Sequence, residues 1–191
     1  MTDDQRGGKL PPHAKRVFKG KIFETWQWEQ KLFDGTTAVF EEVIRPDTVE
    51  VIAVADGKII IEEQEQPGIM TASFLSLPGG RADNGTAPEE EIKRELLEET
   101  GYASEDWELW QDAHPFLRHP YTIHYFIARN CKKTQEARLD AGERIKLRFV
   151  SFEELLALSD NPLFRAGDFV KILLRMRLDE KMREEFRKKL K

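Results

Sequence analysis

Residues 80–102 read GRADNGTAPEEEIKRELLEETGY, and this stretch decides the fold. Thr86 and Glu89 form the Thr-x-x-Glu pattern of a capping box, and Pro88 falls in the first turn. Gly101 is a natural helix stop, so the stretch predicts a helix over residues 87–100. At about 100° per residue, with Glu91 taken as zero, Glu98 falls at about −20°, Glu95 at about 40° and Glu99 at about 80°. Ile92 and Leu96 follow at about 100° and about 140°. The carboxylates therefore share one arc beside a buried stripe. Like charges four residues apart destabilise a helix by roughly 0.2–0.5 kcal/mol per pair, so something must offset the crowding. One offset is a solvated acidic face partnered by Lys93 and Arg94. The other is a hard divalent cation, which takes several oxygen ligands and can also draw on the backbone of the preceding Gly79-Gly80 turn.

The elements on either side are mixed strands, with helices at separate places. Residues 19–33 (KGKIFETWQWEQKLF) are rich in β-branched and aromatic side chains, Asp34-Gly35 makes a hairpin turn, and residues 37–44 return as a strand. Residues 49–54 and 58–61 pair around Asp56-Gly57, and Leu75-Ser76-Leu77 leads into the Pro78-Gly79-Gly80 break. Residues 107–110, 123–128 and 145–150 read as strands, and residues 152–158 as a short helix. A last helix is expected over residues 164–190, with Phe169, Ile172, Leu173 and Met176 apolar, then Met182, Phe186 and Leu190. This pattern predicts an α+β chain, an α/β/α sandwich with a mixed sheet, behind an N-terminal β region at residues 19–45. Residues 1–18 are expected to be a disordered lead-in, and residues 19–191 one domain.

Bulk properties narrow the function. The net charge of −5 argues against nucleic acid or a membrane surface as partner, both of which favour a basic face. It leaves room for a small anionic substrate whose charge a bound cation offsets. Cys131 is the only cysteine, which rules out an intrachain disulfide and suits the cytoplasm. No apolar run approaches the length of a membrane span.

The stretch resembles the Nudix box, Gly-x5-Glu-x7-Arg-Glu-U-x-Glu-Glu-x-Gly-U, where U is bulky and apolar. Gly80, Arg94, Glu95, Leu96, Glu98, Glu99, Gly101 and Tyr102 are in register, while Thr86 replaces the first glutamate. The layout before and after the box is similar to the ADP-ribose pyrophosphatase branch. The resemblance implies the Nudix fold, a homodimer, and metal-dependent cleavage of a pyrophosphate bond in a nucleoside diphosphate linked to another moiety. Nucleoside triphosphates or dinucleotides are the alternative substrates, and a nucleotide-binding regulatory module is the alternative of another class. The metal is expected to be Mg2+, replaceable by Mn2+. Glu95, Glu98, Glu99 and the Gly79 carbonyl are its expected ligands, and Arg94 is expected to orient the carboxylates.

Several positions depart from that branch. An Arg-Gln-x-Arg stretch becomes Glu63-Gln64-Glu65-Gln66, and an acidic position becomes Ser76. The 114–122 loop, where the resemblance implies a catalytic glutamate, has no carboxylate. Glu98 is then the first expectation for the base, with His119 and Glu143 behind it. Arg81, Arg118 and His119 are the candidate substrate contacts, each with an ordinary solvated reading beside it. Trp26 and Trp28 share a strand face, suited to packing or to stacking on a base. His124 is expected to be packed.

Overall fold

The computed structural model describes residues 10–68, 73–82, 85–115 and 120–191. The fold is organised by β4 (Asp47–Ala55), whose side chains alternate between two apolar layers. Val49, Val51, Ala53 and Ala55 face one way and join Ile92 and Leu96 of α1 (Pro88–Thr100). Ile52 and Val54 face the other way and meet α2 (Phe152–Ala157), α3 (Gly167–Leu178) and α4 (Glu180–Lys189), through Leu155, Phe169, Leu173, Met176 and Phe186. The result is the expected sandwich, one helix against three.

The sheet is mixed. β4 runs parallel to β10 (Ile123–Arg129) and antiparallel to β7 (Gly79–Ala82) and β5 (Lys58–Glu65). β6 (Phe74–Ser76) and β12 (Arg144–Val150) pair with β5, while β9 (Asp106–Ala113) pairs with β10. Two short strands, β8 (Tyr102–Ala103) and β11 (Lys132–Lys133), pair beyond α1. Between β4 and β5, Asp56 and Gly57 both adopt positive φ, 49° and 73°, the geometry of a tight hairpin turn. Ahead of the sandwich, β1 (Lys15–Lys19), β2 (Glu24–Lys31) and β3 (Thr37–Ile44) make a separate antiparallel sheet. Trp28 packs on Phe40 within it, ring centroids 6.1 Å apart, and Arg16 lies over Trp26 at 5.8 Å.

Four expectations are corrected. Ordered chain begins before residue 19, because β1 pairs with β2 from Lys15 onward. The Pro78-Gly79-Gly80 turn does not end the regular structure, because Gly79 and Gly80 pair with Glu50 and Val49. Thr86 does not cap α1; Ala87 holds the N-cap position without a side-chain bond. Pro88 at the helix start has no N–H to satisfy, and three glutamates in the first turn favour the helix dipole, so the cap is dispensable. The C-terminal helix is two helices, broken at Asp179, whose extended backbone and carboxylate cap α4 by accepting from Met182 N at 3.0 Å. That break turns Phe186 and Leu190 back into the core.

His124 lies where β4, β9 and β10 meet. Its Nδ1 is 2.8 Å from Asp112, its Nε2 is 3.8 Å from Asp47, and Asp47 also accepts from Thr122 N at 2.7 Å. Burial alone would lower the imidazole pKa, but the two carboxylates outweigh it and hold it raised. A raised pKa contributes stability that is full below about pH 6.5 and is lost as pH climbs through the folded value. His124→Asn is therefore expected to destabilise the fold by about 1–2 kcal/mol at pH 6 and by less at pH 9. Urea midpoints at the two pH values check this; an equal loss at both would remove the charged histidine from the account.

Candidate active site

The Gly79-Gly80 strand passes directly under the C-terminal half of α1, and glycine is required for the approach. A Cβ on Gly79 would stand 2.1 Å from the Val49 carbonyl oxygen, and one on Gly80 would push the Glu95 carboxyl aside. The Gly79 N–H donates to Glu99 Oε2 at 2.9 Å. Arg94 donates to Glu91, Glu95 and Glu98, with the Glu95 bond at 2.6 Å. Three carboxylates of the arc thus gather on one guanidinium, while the fourth, Glu99, turns inward to the strand.

Glu99 meets a group that the motif does not contain. Glu62, on β5, is wholly buried, and its charge and that of Glu99 oppose one another. Burial is the main cause that raises both carboxyls; the Glu62 charge raises Glu99 further, while hydrogen bonding to Gln64 and to Glu99 draws Glu62 the other way. Gln64 Nε2 donates to Glu62 Oε2 at 2.6 Å and to Ser76 Oγ at 2.9 Å, while Glu62 Oε1 has no hydrogen-bond partner. Glu62 lies directly across the sheet from Ser76. A carboxyl thus stands beside position 76, on the neighbouring strand. Its signal was period two: Ile60, Glu62 and Gln64 share one parity, and Ile60 faces α1.

A loop from the far end of α1 closes over this floor. Arg138 N donates to the Glu98 carbonyl at 2.7 Å, and Thr134 N donates to the Gly101 carbonyl at 2.9 Å. Gly101 has φ 75°, and a Cβ there would lie 2.2 Å from Gln135 O, so this contact also needs glycine. The loop brings Arg138, Asp140 and Glu143 to the cleft, and the charge of Glu143 raises both Glu62 and Glu99. The cleft holds about 1570 Å³, ample for a nucleotide. Arg81 lines it, as do Gly79, Arg94, Glu95, Glu98 and Glu99. Arg118 and His119 lie outside the described residues.

The far end of the cleft was not expected from the sequence. Arg45 lies over Tyr121 at 4.4 Å and Arg165 over Phe74 at 5.0 Å. Glu50 and Asp168 form a second acidic pair there, and burial followed by the Asp168 charge pushes Glu50 up to about 8.

Residues 44–168 match the NUDIX domain family, well over half of the 191 residues. The chain belongs to the Nudix family. It is 29% identical over 153 residues to the ADP-ribose pyrophosphatase of Bacillus subtilis (strain 168), covering 77% of this chain and 80% of that protein. It is 31% identical over 149 residues to the methanol dehydrogenase activator of Bacillus methanolicus, covering 75% and 78%. A crystal structure described as an ADP compounds hydrolase shares the fold, with a TM-score of 0.74 over 92% of this chain and 95% of that one, at 19% identity. As a Nudix enzyme the protein is a pyrophosphohydrolase.

The acidic floor fits a divalent cation in its chemistry. Among the described residues, no three His, Cys, Asp or Glu side chains are drawn together tightly enough to chelate one, and the positive charge among the outer glutamates is that of Arg94. The donors are nevertheless hard oxygens, and Glu99 is disfavoured as an anion by burial and by Glu62. A cation reverses that penalty. In chelator, the raised Glu62 and Glu99 contribute stability that is full below their ordinary carboxyl range and is lost as pH rises. Glu62→Gln is therefore expected to stabilise the chelated protein on the order of 1 kcal/mol at pH 8 and little at pH 5. Urea unfolding with EDTA at both pH values is the measurement, and a variant less stable than the parent at pH 8 contradicts the repulsion.

Proposed function

We propose that this Nudix enzyme hydrolyses a nucleoside diphosphate linked to another moiety, of the ADP-ribose or nucleotide-sugar type, with Mg2+ or, in its place, Mn2+. The observation that carries the reading is the Glu99 carboxylate, buried against Glu62 at the floor of a nucleotide-sized cleft and held by the Gly79 amide. The relative named ADP-ribose pyrophosphatase supports the substrate type. Glu95, Glu99 and the Gly79 carbonyl would hold the cation, with Glu98 joining directly or through water. When bound, the cation would neutralise diphosphate oxygens and acidify the attacking water.

The chain's own residues do the rest. Arg94 fixes Glu95 and Glu98 in place. Water attacks one phosphorus, its proton passes to a carboxylate, and the anhydride P–O bond breaks to leave two monophosphates. Glu98 was the first expectation for that carboxylate, but Arg94 engages it. Glu143 has the better position, on a loop docked to α1 and facing Glu62 and Glu99 across the cleft. Arg81, Arg118 and His119 remain proposed substrate contacts.

Incubation with Mg2+ and a panel of ADP-ribose, nucleotide sugars, dinucleotides and triphosphates, read by released products, tests the substrate type. Preferred release of a nucleoside monophosphate and a sugar phosphate is expected; preference for triphosphates overturns it. Glu143→Gln is expected to lower kcat by roughly 10²–10⁴-fold with little change in KM. A near-parental Glu143→Gln beside a Glu98→Gln that loses kcat returns the base to Glu98.

We further propose a homodimer built through the three-stranded sheet. Val17, Phe18, Phe23 and Val39 expose apolar surface on it, which favours burial against a second copy. Light scattering at micromolar concentration is expected to give twice the chain mass, and Val39→Lys to lower it. A monomeric parent rejects the assembly.

A further inference from the structure

The cleft has a second acidic pair, on the face of the sheet opposite α1, with no role in the chemistry above. Glu50 and Asp168 line it, coming from β4 and from the first turn of α3. Glu50 Oε2 and Asp168 Oδ2 are each sealed from solvent and have no hydrogen-bond partner. Tyr125 stands directly across the sheet from Glu50, is wholly buried, and its hydroxyl donates to no acceptor. The parity that sends Ile52 and Val54 toward α3 sends Glu50 the same way, and Tyr125 lies in that layer against Phe169, ring centroids 5.7 Å apart.

Buried polar groups without partners are unfavourable, so this trio is poised for a group that satisfies it. Its chemistry limits the choice. The carboxyl oxygens call for donors, which excludes a terminal phosphate on grounds of both charge and hydrogen bonding. The phenol calls for an acceptor, which a bare cation or an ammonium does not provide. A hydroxyl group is donor and acceptor at once. The neighbouring cations are engaged locally: Lys171 with Asp168, Arg45 with Thr48 and Tyr121, Arg165 with Phe74.

Resting on the reading of this cleft as a diphosphate site, we propose that Glu50, Asp168 and Tyr125 form the subsite for the uncharged, polyhydroxylated sugar on the far side of the diphosphate. A sugar hydroxyl donates to a carboxyl oxygen of the pair, with the Tyr125 phenol buried behind it. The acidic pair repels a third phosphate at the same place, so the subsite selects sugar-linked diphosphates over triphosphates.

The test compares binding with and without the sugar. In a Glu99→Gln background that prevents turnover, calorimetry measures ADP-ribose and ADP on the otherwise parental protein and with Glu50→Gln, Asp168→Asn or Tyr125→Phe added. ADP-ribose is expected to weaken by about tenfold or more in the Glu50 and Asp168 variants, the loss of about one charged hydrogen bond, while ADP changes by less than about twofold. Equal weakening of both ligands, or of neither, overturns the subsite. Tyr125→Phe keeps the packing and guards against a folding defect in the other two. In the native active site, Glu50→Gln is expected to raise KM for ADP-ribose and to narrow its advantage over ATP. If the parent hydrolyses none of these compounds, the proposed function falls, and the calorimetric comparison still decides the subsite.

Discussion

Two carboxyl groups, Glu62 and Glu99, are buried against one another beneath the Gly79-Gly80 strand, and much of the local structure follows from holding them there. Burying like charges is unfavourable unless hydrogen bonds, a proton or a cation compensate. The Gly79 amide serves Glu99, and the Gln64 amide serves Glu62 while anchoring itself on Ser76. Each of these needs its strand at close range: Gly79 on β7, Gln64 on β5 and Ser76 on β6. The outer glutamates are managed differently. Glu91, Glu95 and Glu98 share Arg94 near the surface, where water screens what the guanidinium does not neutralise.

Where the backbone pattern is strong, the sequence was legible. The register from Gly80 to Tyr102 predicted the helix, its stop and its acidic arc, and the alternation around Asp56-Gly57 predicted the hairpin. The capping box failed because a first turn beginning with proline and followed by three acids does not need it. The break at Asp179 was missed because apolar residues recur at helical spacing on both sides of it; the clue was that the stripe of Met182, Phe186 and Leu190 is turned by about 90° from that of Phe169, Ile172, Leu173 and Met176. β1 was lost because a strand whose residues are all exposed has no hydrophobic alternation to detect.

The site was legible in its helix and largely illegible elsewhere, since the other contributors come from elements far apart in the chain. Glu50 and Glu62 sit inside apolar strands, where a single acid reads as an interruption rather than as a functional group. Strand parity was the usable clue in both cases, because each continues the inward-facing series of its neighbours. In the sequence Glu143 is only the third choice of base and Asp168 has no role, because neither lies in a patterned strand or helix stripe. One is placed by a loop that docks on the end of α1, the other by the first turn of a helix whose position depends on the whole opposite layer.

These placements share a physical logic. A site needs charge at a point in space, and the sheet offers several residues that reach the same point. Cross-strand neighbours on one face have Cβ atoms about 4.5–5.5 Å apart, so the acid Glu62 stands close to position 76 on the next strand. That placement has a consequence for the neighbours. A carboxyl on β5 brings Gln64 into the floor as its donor, and Gln66 continues the chain by donating to Gln64 Oε1 at 3.1 Å. Of the two positions where the resemblance places arginines, Glu63 pairs with Arg148 and Gln66 is an amide. The cations of the cleft are instead Arg45, Arg165 and Lys171 beside the second acidic pair, and Arg81, Arg94 and Arg138 around the acidic floor. The cleft thus sets an acidic floor suited to a cation beside a second acidic pair whose neighbouring cations are already matched to an aromatic ring or an acid.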